Sequence, residues 1–295
     1  MLLEKVPVGY TLREARGDVL AVLLIGSVIE LVVWTDRGLL PHVPISVPSL
    51  LGTAISLILS FKLSQSYERW WEARKIWGAI VNDSRSLVRQ LLSFTGTRGP
   101  LSITITHRQI AWCYSLGQCL RGLDWRLGGE RYLSPSDAAE ADAHANKPLA
   151  LIQQQARDVA ELARENQLNP YQFVAIDETL TRLTDSMGKA ERIRSTVFPT
   201  NYRLFLRGSI YLFITMFSVS LREVTGVRQV LLSTLICIPF FLLEKTARHL
   251  QDPFSNRPTD TAVTAIARTI EINLLQLLGE RDVPEPMKPA GYYLM

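Results

Sequence analysis

Cysteine is scarce in this chain, which contains only Cys113, Cys119 and Cys237. The number is odd, the positions are far apart and no CxxC pair occurs, so the sequence argues against a disulfide framework or a zinc site. The four histidines show neither HxxxH nor HExxH spacing. We therefore expect no metal centre, and interpret the cysteines as small buried side chains in a reducing compartment.

Signatures of enzymes and of nucleic-acid-binding proteins are also missing. The sequence has no GxSxG, P-loop or HExxH motif, and paired carboxylates occur only as charges along predicted helices. We therefore expect no catalytic residue and no cofactor. The net charge is only +4, and lysine and arginine form no basic run, so we do not expect nucleic acid as a partner. Strand-type alternation and internal repeats are absent too.

The chain does contain four apolar runs, at 19–34, 38–61, 208–221 and 230–243. Hydrophobic residues make up 47% and charged residues 20% of the chain, a balance that fits a body lying partly in lipid. Only the second run reaches the ~20 residues that span a bilayer alone. The third and fourth runs are also short enough for buried helices of a soluble protein.

The short link between the last two runs, 222–229, suits a helical hairpin, and charged helix ends can snorkel to water. We therefore predict four transmembrane helices at about 18–35, 47–65, 206–222 and 229–246. The first run resembles a signal peptide in its basic leader, but Glu30 interrupts it and WTDR follows where small residues are required for cleavage. We expect it to be retained.

The remaining sequence predicts helices in water. Apolar residues recur at helical spacing in 149–168 and 173–193, whereas 128–148 is typical of a loop or insertion. We predict an all-α chain that forms one domain, 1–295, with a cytosolic helical region at 66–205 and 247–280. The tail, 281–295, is Pro-rich and predicted to be loose. Lysine and arginine in the N-terminal and middle segments place both termini in the cytoplasm, although Arg222 and Arg228 oppose this orientation.

Prolines define the start of the second predicted helix. Pro41 and Pro44 do not fit a helix interior, whereas Pro48 suits a first turn. A helix from 48 to 90 would be about 60 Å long, twice the ~30 Å apolar core of a bilayer. The change of composition near Lys62 then marks the exit from lipid, and the tryptophans that follow it would lie near the interface.

One face of this helix is unusual for an apolar segment. Small polar residues recur at helical spacing, namely Ser49, Thr53, Ser56 and Ser60. Beside them Thr53, Leu57 and Phe61 form a stripe at i, i+4 and i+8. Small residues allow membrane helices to pack closely. A mildly polar wall with an apolar constriction is equally typical of a pore, and the spacing alone leaves both interpretations open.

The segment SYERWWEARKIWG (66–78), continued by VNDSRSLVRQ (81–90), resembles the signature of the bestrophin family and its bacterial homologues. PSLLG (48–52) is similar to the start of that family's second transmembrane helix. QDPF (251–254), followed by TIEINLL (269–275), resembles its post-membrane segment. The signature residues carried over by position are Trp70, Trp71, Glu72, Arg74, Trp77, Asp252, Pro253 and Phe254. These matches extend over essentially the whole chain.

The resemblance implies a homopentameric ion channel in the inner membrane of a bacterium, with membrane lipid and small monovalent ions as its partners. It also implies an axial pore whose neck is formed by the second helix, and Thr53, Leu57 and Phe61 occupy the neck positions. A second, cytosolic constriction would follow a proline that begins a helix. In NPYQFVAIDETL (169–180) that residue is Tyr171.

Two departures from the family pattern limit what the resemblance implies. The neck has a polar residue, Thr53, and its middle position, Leu57, lacks the positive ring edge that an aromatic residue offers to an anion. Cation and anion selectivity therefore both stay open. Animal members bind calcium through an acidic cluster after the post-membrane motif. Here only Asp260 follows Asp252 in that region, so we do not expect calcium gating.

Charged residues near the signature have a structural interpretation as well. Glu68, Arg69, Glu72, Arg74 and Lys75 are typical of helix salt bridges, with Glu72 and Lys75 at i, i+3. Glu30 is either a functional intramembrane carboxylate or a residue near the outer interface, and Asp252 is interpreted as a cap. The alternative to a channel is a membrane-anchored helical scaffold whose polar second-helix face only packs subunits. A transporter would require more spans and an inverted repeat.

Overall fold

A computed structural model describes residues 8–96, 98–196, 200–224 and 226–289. The described residues form helices and loops and contain no strand, which confirms the all-α prediction. The α-helices are α1 Val8–Thr35, α2 Ser46–Thr95, α3 Pro100–Arg121, α4 Pro135–Ala143, α5 Lys147–Arg164, α6 Pro170–Ser195, α7 Thr200–Ser220, α8 Val227–Gln251 and α9 Val263–Leu278. Short 3-10 helices lie at Arg37–Leu39 and Glu130–Tyr132.

The chain divides into two compact units. The first contains the described parts of 3–69 and 197–251, and its core is formed by side chains from α1, α2, α7 and α8. Three helical segments in the described residues are long and apolar enough to cross a membrane, namely Ala15–Thr35, Ser46–Thr95 and Val227–Gln251. Helix α7 is not among these three, so the predicted span at 206–222 stays a prediction.

The second unit contains the described parts of 70–196 and 252–295. Its core surrounds the buried Trp77 and Trp112. The starts of its helices follow from cap residues and proline: Ser134 precedes Pro135, and Asn169 precedes Pro170, each within a capping box. These signals are local, and for that reason they can be read from the sequence.

The predicted loop at 128–148 contains α4, a nine-residue helix. Ser134 accepts the Asp137 N–H at 3.0 Å, which caps its first turn. The helix is also held by tertiary contacts, because the Trp125 indole donates to Asp142 at 3.1 Å and the Gln154 amide donates to the Asp137 carbonyl at 3.2 Å. The segment consists mainly of alanine and acidic residues and lacks an apolar helical pattern, so the sequence did not predict this helix. It is stabilised by the contacts with Trp125 and Gln154.

Candidate ion pathway

Helix α2 is one uninterrupted helix of 50 residues, about 75 Å long at 1.5 Å per residue. Its start at Ser46 agrees with the expectation drawn from Pro48. The glycine of PSLLG has a packing role, since a Cβ atom on Gly52 would lie 2.9 Å from Cε2 of Phe213 on α7. A side chain here would push α7 away from the turn that carries Thr53.

The three predicted neck residues share one open face of α2. Leu57 is 59% exposed and Phe61 is 61% exposed, and Thr53 is exposed as well. The opposite face is buried, with Leu59 only 2% exposed. The i, i+4, i+8 stripe is thus left uncovered by the described residues, although it is largely apolar.

The hydroxyl groups along this face are directed to the helix backbone. The Thr53 hydroxyl donates to the Ser49 carbonyl at 2.9 Å, and that of Ser49 donates to the Ile45 carbonyl at 2.7 Å. The Ser56 hydroxyl likewise donates to the Gly52 carbonyl at 2.8 Å. Since each proton is used internally, these side chains present oxygen lone pairs and carbon atoms outward. The face can accept hydrogen bonds and has few donors to offer.

A buried ion pair lies behind the three predicted neck residues. Lys62 follows Phe61, yet its Nζ turns to the other side of α2 and lies 3.3 Å from Glu244 Oε1 on α8, with the two side chains 1% and 2% exposed. Arg248 also pairs with Glu244. This pair is not apparent from the sequence, where Lys62 and Glu244 are simply charges at the edges of two apolar runs.

A second buried carboxylate in the same unit has two cationic partners. Asp18 of α1 accepts from Arg207 of α7 at 2.9 Å, and Lys245 Nζ of α8 lies 3.0 Å from its other oxygen. Asp18 therefore links α1 to α7 and α8, and Glu244 links α8 to α2 through Lys62.

One tryptophan of the signature, Trp77, lies in the core of the second unit. Trp77 is fully buried, and the Trp70 indole donates to the Thr259 carbonyl at 3.1 Å. Trp71 is half exposed and stacks on Trp70 with ring centroids 6.3 Å apart. Glu72 and Lys75 form the expected i, i+3 ion pair at 2.7 Å, and Arg74 is exposed.

The QDPF motif begins a compact turn in the second unit. Phe254 is buried, Asp252 is exposed, and the Pro253 carbonyl accepts the Thr261 N–H at 3.1 Å. Asp260 accepts the Arg257 N–H at 3.0 Å. Burial raises the pKa of Asp260, while backbone N–H groups and the charges of Arg257 and Arg121 oppose that rise. Within the described ranges, no group of three or more His, Cys, Asp or Glu side chains is placed to hold a metal ion.

Tyr171 is the second residue of α6 and is 88% exposed. Asn169 and Gln172 form the capping box around it, with side-chain to backbone distances of 2.9 Å in both directions. The ring therefore projects from a well-fixed helix start. Tyr171 belongs to the second unit, whereas the three neck residues belong to the first.

Comparison with known proteins identifies the family. The sequence model described as "Bacterial/Fungal Bestrophin protein" matches residues 8–276. The chain belongs to this bestrophin family. A crystal structure of a bacterial bestrophin homolog from Klebsiella pneumoniae is similar with a TM-score of 0.84 and 28% identity, covering 89% of this chain and 98% of that chain. The resemblance and the all-α fold are therefore confirmed.

Curated relatives of this bestrophin carry channel names. It is 31% identical over 251 residues to the "Voltage-dependent anion channel-forming protein YneE" of Escherichia coli K12, covering 83% of this chain and 80% of that protein. It is 30% identical over 241 residues to the similarly named protein mll4386 of Mesorhizobium japonicum, covering 82% and 77%. Both alignments extend over most of each chain.

Proposed function

We propose that this bestrophin is a homopentameric channel for small monovalent ions in the bacterial inner membrane. The observation that carries the proposal is the open face of α2, where Thr53, Leu57 and Phe61 lie uncovered on a helix of 50 residues. Such a helix exceeds the ~30 Å apolar core of a bilayer, so it can line a path through the membrane and beyond it. The channel-forming names of the relatives support the same function.

In the proposed assembly, five copies of each neck residue form three successive rings. Rings of leucine and phenylalanine can close a pore by dewetting, without any moving plug. Tyr171 of each subunit forms the second, cytosolic constriction. With four spans both termini lie on the same side of the membrane, which is the cytoplasmic side if the lysine and arginine of the N-terminal and middle segments set the orientation, and lipid surrounds the assembly.

We further propose that the neck prefers cations. The hydroxyl protons of Thr53 and Ser56 are donated to backbone carbonyls, so the oxygens that face outward are acceptors, which suit a cation. Leu57 supplies no positive ring edge for an anion. This preference differs from the names of the relatives, and a direct measurement separates the two selectivities.

The deciding measurement is the reversal potential of the purified protein in a planar bilayer under a KCl gradient. We expect a current whose reversal potential lies towards the equilibrium potential of potassium. A reversal potential towards that of chloride would refute the cation preference while leaving the channel intact. Silence over a wide range of voltage, pH and calcium concentration, with Leu57→Ala silent as well, would favour the alternative of a membrane-anchored scaffold.

Two single cysteine substitutions on α2, one on the open face and one on the buried face, test the proposed neck directly. Cys113 and Cys237 are buried and Cys119 is exposed, so Cys119→Ser provides a background that is unreactive at the surface. In that background we expect Leu57→Cys to react with small thiol reagents and to lose its current. The matched variant Leu59→Cys lies on the buried face and should keep its current. Equal reactivity at both positions would contradict the assignment.

Subunit crosslinking tests the proposed assembly. A lysine-directed crosslinker should give a ladder of five rungs in mild detergent, because exposed lysines such as Lys75 are available on each subunit. A ladder that ends at a different rung, or a monomer, would overturn the pentamer.

A further inference from the structure

The first unit contains a cavity away from the neck face. It has a volume of about 440 Å³ and lies between the end of α1 and the start of α8, lined by Glu30, Leu31, Trp34, Gly226, Val227 and Val230 among others. Most of this lining is apolar. The single carboxylate among these residues is Glu30, the charge that interrupts the first apolar run.

Only one of the two carboxylate oxygens of Glu30 is satisfied. Oε1 accepts the Gly226 N–H at 2.5 Å, next to the first turn of α8. Oε2 is buried and has no hydrogen-bond partner among the described residues. A buried oxygen that carries charge and lacks a donor is costly. Since a carboxylate only accepts hydrogen bonds, the missing partner has to be a donor, and a cationic donor suits it best.

The position of Glu30 fits the depth of lipid head groups. Helix α1 ends at Thr35, five residues later, which corresponds to about 7.5 Å along the helix. Trp34, which also lines the cavity, is exposed. Tryptophan is favoured at the membrane interface and its ring face attracts cations. A cation that entered here from the membrane would meet both the carboxylate and an aromatic ring.

We propose that this cavity binds a primary ammonium group carried on an apolar chain, such as the head group of phosphatidylethanolamine. A primary ammonium can donate a hydrogen bond to Oε2 of Glu30, whereas the quaternary ammonium of phosphatidylcholine has no N–H to donate. The apolar side chains of Leu31 and Val230 suit the attached chain.

The test is lipid binding, measured by native mass spectrometry on the delipidated full-length protein. Phosphatidylethanolamine, phosphatidylcholine and phosphatidylglycerol with identical acyl chains are supplied in equal amounts. We expect phosphatidylethanolamine to be retained about tenfold more than the other two lipids, as one charge-assisted hydrogen bond predicts. Equal retention of the three lipids by the unmodified protein would rule out the lipid head group as the ligand, and would overturn the proposal unless a soluble amine binds through Glu30.

Glu30→Gln is the informative variant, because its amide oxygen can still accept the Gly226 N–H while the negative charge is removed. We expect it to retain phosphatidylethanolamine no better than phosphatidylcholine. Glu223→Gln is the matched control, since Glu223 is exposed in the link before α8 and does not line the cavity; it should bind as the unmodified protein does. An unchanged preference in Glu30→Gln would overturn the assignment, as would loss of assembly, which would indicate a carboxylate that serves a subunit contact.

A soluble amine distinguishes the two sources of the ammonium group. Octylammonium should displace phosphatidylethanolamine from the unmodified protein and bind much less to Glu30→Gln. Binding of octylammonium through Glu30 without retention of the lipid would keep the ammonium site and assign it to soluble amines. Failure of both to bind would overturn it. None of these readouts uses ion current, so the outcome is independent of the proposed channel activity.

Discussion

Replacing Leu57 with alanine is expected to raise the current through each open channel severalfold. Leu57 is the middle residue of the proposed neck and is 59% exposed on the open face of α2. In a pentamer the substitution replaces the five isobutyl groups of one ring by methyl groups. A wider and less apolar ring is wetted more easily, so the barrier to an ion is lower. The measurement is single-channel conductance in a planar bilayer.

Leu57→Phe changes the same ring in another way. Phenylalanine keeps the ring apolar but can turn a positive ring edge towards a passing anion. We expect its reversal potential in a KCl gradient to move towards that of chloride, together with a lower conductance. Leu57→Ala tests the effect of side-chain size on conductance, and Leu57→Phe tests the effect of an aromatic ring on selectivity. The two variants together therefore separate these effects at one position.

Leu59→Ala is the matched control for the neck. Leu59 lies two residues away but is buried on the opposite face of α2, so its truncation should lower stability by about 2–5 kcal/mol, the usual cost for a core leucine. The conductance of each channel that still opens should stay close to that of the unmodified protein. If both Leu57 variants conduct as the unmodified protein does, the neck lies elsewhere.

Much of the candidate site could be predicted from the sequence because its signals are local. The stripe of Thr53, Leu57 and Phe61 follows from helical periodicity, and the helix start before Tyr171 follows from Asn169 and Pro170, whereas the roles given to these residues come from the family resemblance. Both depend on residues within a few positions of one another. Periodicity did not decide which face of α2 is covered, since small polar residues suit packing and pore lining equally.

The contacts that the sequence did not reveal join distant segments. Glu30 and Gly226 are 196 residues apart, and Lys62 and Glu244 are 182 residues apart. No periodicity connects such pairs, and each charge alone resembles the edge of a membrane span. Helix α4 was missed for a related reason, because its short segment of alanine and acidic residues is held by Trp125 and Gln154 from outside the helix.

Glu244→Gln is expected to be the most destabilising single substitution of the buried charges in the first unit. Glu244 is the counter-charge of both Lys62 and Arg248, and Lys62 is almost fully buried. The variant leaves a buried lysine without a negative partner, for which the usual cost is about 3–5 kcal/mol. This corresponds to a decrease in Tm on the order of 10 °C. Thermal unfolding of the detergent-solubilised protein measures it.

Substitution of Lys62, the cation of the pair, is expected to lower stability less than substitution of Glu244. Lys62→Met leaves Glu244 with Arg248, whose side chain is 25% exposed and can reach water, so the loss of stability should be much smaller than in Glu244→Gln. The double variant Lys62→Met with Glu244→Gln removes the buried cation together with its partner and should regain most of the lost Tm. Equal losses in the two single variants would contradict this asymmetry. Since Lys62 adjoins Phe61, a decrease in open-channel conductance in Lys62→Met, with Tm nearly unchanged, would indicate that the pair positions the last ring of the proposed neck.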